Sequence, residues 1–452
     1  MTLRSELSEI ANDAPALEQA YRHALEADQE GAFIAEIIAL ANEHPDNILL
    51  ATWMARLEPA KAASRAARPR ILWPVLVIVG LVMSVLFYFG LDDAVLELPS
   101  AQFWLPLAFV AVVAAGVSVY LVAARRRLWG WTALVLGVLV VLGAYAVLFM
   151  MRIEQGNQDS LLPLQYQDLA PVHFAGLAFL AVLWAVGGHH TAPGGRHAII
   201  IKVFETAITI GLLQAVLTAA VLLWGTLFTI QGLPFLFFDA DTPLWIKLRR
   251  FAAVTGVTFV VLLSTAFSYN AHTAPEEQDF SSGISIVVSF MLRILLLVSV
   301  VGLAAVAVVI PFTFMEPFNS RDVLIAYNML QFAVVAVVVG IVPPLQAQDS
   351  LRTNKTVRAG VLILIILTVL VSLYALAAVV YRTALTGLTP NRITVITWNA
   401  VNIALLALAG WRILRTGKNG WVVAISRTIH VGLLVYTISA TMLLVVLPLV
   451  FH

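Results

Sequence analysis

Two acidic or basic side chains stand inside long apolar segments of this sequence, where ionisable groups are rare. Glu205 follows Lys202 by three residues in one such segment, and Arg293 lies in another. Ionisable residues within a membrane are costly and commonly mark ion or proton pathways. We predict that Glu205 and Arg293 form a buried charge pair. Such a pair either couples ions or protons in a transporter or has only a structural role. The remaining alternative is that each charged side chain extends to the membrane interface.

A second set of charged residues surrounds a turn in the C-terminal third. The segment Tyr-Arg-Thr-Ala-Leu-Thr-Gly-Leu-Thr-Pro-Asn-Arg runs from Tyr381 to Arg392. Its glycine is suited to end one helix, and its Thr-Pro pair to begin the next. Arg392 then lies in the first turn of a helix, where the macrodipole disfavours a cation. We predict that an anion such as a lipid phosphate binds to Arg382, Asn391 and Arg392.

Two weaker patterns are typical of metal binding or of catalysis. His189, His190 and His197 lack the i, i+4 spacing of a helical zinc site, so we predict no metal. The Asp239-Ala-Asp241 pattern resembles one in membrane enzymes that use lipid-linked sugars, which keeps open an enzyme acting on a lipid phosphate or lipid-linked sugar. The sequence has no phosphate loop, G-x-S-x-G or H-E-x-x-H, so the interpretation leans toward a non-enzyme without a cofactor.

Amide side chains also occur within the apolar segments. They are Gln214, Asn328, Gln331, Asn399 and Asn402. Amides between membrane helices commonly hydrogen-bond to one another. We therefore expect interhelical hydrogen bonds here rather than a pore.

The composition establishes the class of protein that must position these residues. Of 452 residues, 61% are hydrophobic and 12% charged, with a mean hydropathy of +0.92. A soluble domain is about half apolar and a quarter charged, so a soluble enzyme and a disordered chain are both excluded. Cysteine is absent, which excludes disulfides, thiolate nucleophiles and cysteine-ligated metals.

Hydrophobic stretches of about 20 residues predict membrane-spanning helices. We place eleven of them near residues 71–91, 103–122, 128–151, 170–187, 203–230, 251–267, 288–312, 323–343, 359–381, 393–411 and 431–451. The predicted fold is an all-α polytopic membrane helical bundle with a small N-terminal helical head.

The head, residues 1–60, differs sharply from the rest. It has 11 acidic residues and three arginines, a net charge of −8. Apolar periodicity predicts three short helices, near residues 3–27, 32–43 and 46–58. A basic linker, 61–70, leads to the membrane domain, 71–452. The head is either a solubilising cap or a docking module for a basic cytoplasmic partner.

Loop charges predict the orientation. With the head in the cytoplasm, inside loops carry sixteen Lys and Arg and outside loops seven. The positive-inside rule therefore puts the N-terminus in the cytoplasm and the C-terminus outside. One region disagrees, since Lys247, Arg249 and Arg250 fall outside and the inside loop 268–282 has no base.

The segment 357–411, with its Tyr-Arg pair and its Gly-Leu-Thr-Pro-Asn-Arg turn, resembles a hairpin of a bacterial inner-membrane family, the domain of unknown function 4153. The resemblance implies a location in the bacterial inner membrane. The family carries no assigned activity, so the resemblance implies no reaction.

These observations favour a non-enzymatic membrane protein, transport-like or a scaffold, whose head engages a cytoplasmic partner. A permease with a site around Glu205 and Arg293 is the first alternative, and an outer-face lipid enzyme the second. Membrane lipids are the expected partners, and no nucleic acid is expected. The sequence leaves the oligomeric state open.

Overall fold

A computed structural model describes residues 3–26, 30–44, 47–54, 71–98, 100–125, 128–154, 161–189, 191–230, 243–280, 284–342 and 355–451. These residues are helices and short connections, with no strand among them. The first helices are α1 (Leu3–Glu9), α2 (Ala14–Glu26) and α3 (Glu30–Glu43). The predicted all-α fold is confirmed.

Eleven further helices in the described part are long and apolar enough to cross a membrane, which confirms the predicted number. They are α4 (Trp73–Gly90), α5 (Ala101–Val122), α6 (Trp129–Glu154), α7 (Leu161–Gly187), α8 (Pro193–Ile230), α9 (Pro243–Ser268), α10 (Ile284–Val309), α11 (Arg321–Ile341), α12 (Lys355–Thr386), α13 (Pro390–Lys418) and α14 (Gly420–Val450). The predicted sixth span, 251–267, is the C-terminal part of α9, which begins eight residues earlier at a proline suited to a helix start.

The chain divides into two compact units, Met1–Arg68 and Pro69–His452. In the first unit, Tyr21, Phe33 and Trp53 pack their rings together with centroids 5.5–6.1 Å apart. The head therefore has an apolar core of its own. Its predicted limits at residues 60 and 70 lie outside the described residues and stay a prediction.

Helix α7 lies at the centre of the second unit. It packs against α5, α6 and α14, and Phe174 and Tyr166 are fully buried along it. The Tyr166 hydroxyl donates to the carbonyl of Leu444 in α14 at 3.1 Å. Contacts between residues so distant in sequence fix α14 beside α7 in the bundle.

The turn between α12 and α13 follows the sequence prediction. Gly387 has a φ of +86°, a conformation that suits glycine and ends α12. The Thr389 hydroxyl accepts a hydrogen bond from the backbone N–H of Arg392, and Pro390 is the first residue of α13. A second turn lies at the end of α13, where Gly417 has a φ of +68°, and α14 begins three residues later at Gly420.

One of the bases at the start of α9, Arg250, has a structural explanation. The Arg250 guanidinium lies 2.7 Å from an Asp93 carboxylate oxygen and 3.6 Å from one of Asp92. These aspartates follow α4, so the ion pairs tie the ends of α4 and α9 together. The acidic loop thus compensates one of the bases that the positive-inside rule left unexplained.

We expect the two turns to lie on opposite sides of the membrane. Helix α13 has 29 residues, a length of about 43 Å at 1.5 Å per residue, which exceeds the hydrocarbon thickness of about 30 Å. Leu388→Cys and Lys418→Cys, both at exposed positions, should react with a membrane-impermeant thiol reagent from opposite sides. The native chain has no cysteine and serves as the unlabelled control. Labelling of both variants from one side would contradict the spanning arrangement.

Candidate functional site

Glu205 lies in a buried polar cluster between α8 and α10. Its side chain is 1% exposed, and one carboxylate oxygen is 2.8 Å from Lys202 Nζ, one turn earlier in α8. The Ser285 hydroxyl, at the start of α10, donates to the other oxygen at 2.6 Å. Both oxygens of the carboxylate are therefore occupied by protein donors.

The predicted pair of Glu205 with Arg293 is wrong. Arg293 is exposed on α10, and Ser285 occupies the position beside Glu205 instead. Arg293 lies about 12 Å further along α10 and about 80° around the helix axis from Ser285. The predicted spans placed both charges at a similar depth in the membrane. The rotation of α10 about its axis directs Arg293 away from Glu205.

Lys202 joins this cluster to the loop that precedes α10. Its ammonium group donates to the carbonyl oxygen of Asp279 and lies 4.6 Å from the centre of the Phe280 ring. In the same loop the Gln278 side chain bonds both backbone groups of Asn270 at 2.9 Å. Burial raises the pKa of Tyr269, so this phenol stays neutral. The cluster thus anchors an ordered loop to α8.

The predicted anion site at the α12–α13 turn has a different geometry from that expected. The Arg392 guanidinium donates to the carbonyl of Gly387, directly after the last residue of α12. Arg392 thereby caps the negative end of the preceding helix, which offsets its unfavourable position in the first turn of α13. The backbone N–H of Asn391 donates to the Gln165 side chain at 3.3 Å. Arg382 Nη1 is buried and has no hydrogen-bond partner among the described residues.

Anion binding at Arg382, Asn391 and Arg392 stays a prediction. The turn holds Arg392 by an internal contact, and Arg382 alone retains an unused buried donor.

The histidines and the acidic pattern do not form a metal site in the described part of the chain. His197 is fully buried, with Nδ1 3.0 Å from the Ser426 hydroxyl and Nε2 3.0 Å from the Val339 carbonyl oxygen. Among the described residues, no group of three His, Asp or Glu side chains is arranged to hold a metal ion. His190, Asp239 and Asp241 lie outside those residues.

The expected hydrogen bonds between amides are confirmed for four of the five residues. Asn399 donates to Asn328 at 2.6 Å, and Asn402 donates to Gln331 at 3.4 Å, so two rungs connect α13 to α11. Gln214 bonds within its own helix, to Thr218 at 3.5 Å.

A cavity that the sequence analysis missed lies beside these rungs. It has a volume of about 580 Å³ and is enclosed by α7, α8, α11, α13 and α14. We call it the apolar groove. Its lining includes exposed residues, Val172 and Phe179 of α7 and Phe332 of α11, so it opens onto the outer surface of the bundle.

The apolar groove runs along most of α13. Its lining extends from Thr394 to Ala409, which corresponds to about 22 Å of helix. One end, the Gly387 side, has Thr394 and Trp398. The other end, the Gly417 side, has Ala409 and Thr428. The lining contains no acidic, lysine or arginine residue.

Most polar groups along the groove have hydrogen-bond partners within the protein, and the Thr394 hydroxyl has none among the described residues. Trp398 Nε1 donates to His173 Nε2 at 3.3 Å, and the other ring nitrogen of His173 lies 2.6 Å from the Leu169 carbonyl oxygen. This pattern assigns a neutral imidazole with its proton on Nδ1. The Tyr436 hydroxyl donates to Asn402. The groove therefore offers an apolar surface rather than a wet, charged one.

No family model, curated protein or solved structure matches this chain.

The buried Lys202–Glu205 contact predicts strongly coupled mutational effects. Glu205→Gln or Lys202→Met leaves one buried charge without its partner, and each should lower the free energy of unfolding by about 3–5 kcal/mol. The double variant should lose much less than the sum, because it leaves no lone charge. Unfolding of the purified protein in detergent measures these losses.

Arg293→Gln is the matched control, because Arg293 is exposed and touches neither partner. We expect a change within about 0.5 kcal/mol. Additive losses at Lys202 and Glu205, or a large loss at Arg293, would contradict the observed pairing.

Proposed function

We propose that this chain is a non-enzymatic, transport-like or scaffold protein of the bacterial inner membrane that binds a lipid chain in the apolar groove. The carrying observation is the cavity of about 580 Å³ among five membrane helices. Ligand sites typically have volumes of about 300–1,000 Å³, with apolar walls and a few polar groups. The groove has these properties.

The dimensions of the groove favour an extended hydrocarbon chain. Its length of about 22 Å is roughly three quarters of the hydrocarbon thickness, so an occupant lies along the membrane normal. Its opening between Val172 and Phe332 faces the side of the bundle, from which a lipid chain enters without crossing water. Apolar cavities stay dry, so the groove is poorly suited to conduct ions.

The permease alternative has less support. Glu205 is held by Lys202 and Ser285 at hydrogen-bond distance, and Arg293 does not face it. A coupling carboxylate must exchange its partners during transport. The satisfied cluster is better explained as an anchor for the loop before α10.

Location, orientation and partner rest on sequence patterns. The resemblance of segment 357–411 to the family of unknown function 4153 supports the bacterial inner membrane. The excess of basic residues, sixteen against seven, supports a cytoplasmic N-terminus and an extracytoplasmic C-terminus. The charge of −8 on residues 1–60 supports a basic cytoplasmic partner for the head.

The proposal predicts that filling the groove expels lipid. Gly176 lines the groove, and a Cβ placed there meets no atom within 4 Å, so Gly176→Phe should occupy the cavity without a clash at the backbone. We expect this variant to lose most of the lipid that co-purifies with the wild-type protein, as measured by native mass spectrometry.

Gly137→Phe is the matched control. Gly137 is also an exposed helical glycine with open space at Cβ, but it lies on α6, outside the groove. This variant should retain lipid as the wild type does, with an equal melting temperature. Equal lipid retention in both variants would overturn the proposed function.

A further inference from the structure

We infer that the occupant of the apolar groove is a phosphate-bearing lipid whose phosphate lies at the Gly417 side, against Arg412 and Arg196. This inference rests on the proposed function and adds a chemical class and a direction to it. Arginines continue two of the lining helices beyond that end of the groove.

Arg412 is three residues beyond Ala409, the last groove residue of α13. Its guanidinium donates to the Thr428 hydroxyl at 3.2 Å, and Thr428 itself lines the groove. The Thr428 hydroxyl donates in turn to the carbonyl of Ala424 at 2.9 Å. Arg412 therefore contacts the groove wall directly, through one of its five N–H donors.

Arg196 is four residues before Ile200, a lining residue on the same face of α8. Its side chain is buried, stacks 3.8 Å above the Trp184 ring and donates from Nη2 to the Gly188 carbonyl at 3.4 Å. Its Nη1 is buried and has no hydrogen-bond partner within the described chain. A buried donor of a charged group without an acceptor is costly, and a phosphate oxygen would satisfy it.

The two arginines also lack counter-charges. In the described part of the chain, no carboxylate lies within ion-pair distance of Arg196 or Arg412. Positive charge next to an apolar groove is unfavourable unless it is paired. The planar fork of arginine binds two phosphate oxygens at once, which a neutral lipid head does not offer.

Two other arginines, Arg125 and Arg358, make a different kind of contact from Arg412, whereas Arg196, like them, donates to a carbonyl at a helix end. Arg125 donates to the Val186 carbonyl at 3.2 Å and Arg358 to the Ile413 carbonyl at 3.3 Å, so both bind the last turns of helices. Arg412 instead contacts a side chain of the groove wall. Such helix-end contacts account for Arg125 and Arg358, but not for Arg412.

The opposite end of the groove is uncharged. Thr394, Trp398 and His173 line the Gly387 side, and the imidazole and indole bind each other. The cation nearest in sequence, Arg392, is engaged by the Gly387 carbonyl. The groove is thus apolar along its length, and in the described part of the chain only the Gly417 side has an arginine that hydrogen-bonds to a lining residue. This polarity matches a lipid with its phosphate at the Gly417 side and its chain directed toward His173.

A glycerophospholipid and a polyprenyl phosphate both join a phosphate to a long hydrocarbon chain. Three probes distinguish these ligands from each other and from a lipid without phosphate. They are dioleoylphosphatidylglycerol, undecaprenyl phosphate and dioleoylglycerol, the last of which has the acyl chains but no phosphate. Each is titrated against the full-length protein in detergent and followed by native mass spectrometry. Tighter binding of one phosphate probe identifies the source of the phosphate.

The deciding variant is Arg412→Gln. We expect it to bind the phosphate probes about tenfold more weakly, as the loss of a charge-assisted contact implies, and dioleoylglycerol unchanged. Arg415→Gln is the matched control, since it makes the same charge change on an exposed side chain stacked on Trp411 at 4.3 Å. Arg415→Gln should bind all three probes as the wild type does.

The inference is overturned if Arg412→Gln and Arg415→Gln bind the phosphate probes equally. It is also overturned if Arg392→Gln is the variant that loses phosphate binding, because the phosphate would then lie at the Gly387 side. Gly176→Phe separates this outcome from failure of the proposed function. If it excludes the probes while Arg412→Gln has no effect, the groove binds lipid without recognising phosphate there. If Gly176→Phe binds every probe normally, the proposed function fails.

Discussion

A bilayer offers no water to a buried polar group, and the rest of this structure depends on that constraint. Backbone groups must be satisfied inside helices, which accounts for the eleven long apolar helices in the described part of the chain. Charged side chains must find partners or reach an edge. Glu205 meets Lys202 and Ser285, and Arg250 meets two aspartates at the end of α4. Each of these contacts also joins two parts of the bundle.

Three arginines make three different kinds of contact under this constraint. Arg250 neutralises carboxylates, and Arg392 caps the end of the preceding helix at Gly387. Arg412 does neither, because it reaches a hydroxyl on the wall of the groove. Of these three arginines, only Arg412 has a hydroxyl as its acceptor, in place of a carboxylate or a backbone carbonyl. The proposed anion therefore lies at Arg412, together with Arg196, whose buried Nη1 has no hydrogen-bond partner among the described residues.

The apolar groove is a product of the same packing. The groove lies among α7, α8, α11, α13 and α14, and its lining includes the small residues Gly176 and Ala336. Hydrogen bonds between His173 and Trp398 and between Asn402 and Tyr436 remove polar groups from its surface. The walls consequently resemble the acyl region of the bilayer. A lipid chain is the occupant that suits both the shape and the surroundings.

The sequence alone determined the number of membrane helices and the helix-ending turn at Gly387, and it predicted hydrogen bonds between helices for the amides without specifying the pairs Asn328–Asn399 and Gln331–Asn402. The length of an apolar segment and its capping residues determine a helix locally, and amides between membrane helices commonly hydrogen-bond to one another. Only the tertiary structure decided that Ser285 rather than Arg293 lies beside Glu205, which carbonyl accepts from Arg392, and that the groove exists. The first depends on the rotation of α10 about its axis, and the second on the path of the chain through a turn. The groove depends on five helices whose lining residues are spread from 169 to 440. No local pattern specifies where such distant surfaces fail to touch, because that gap is set by the packing angles of whole helices.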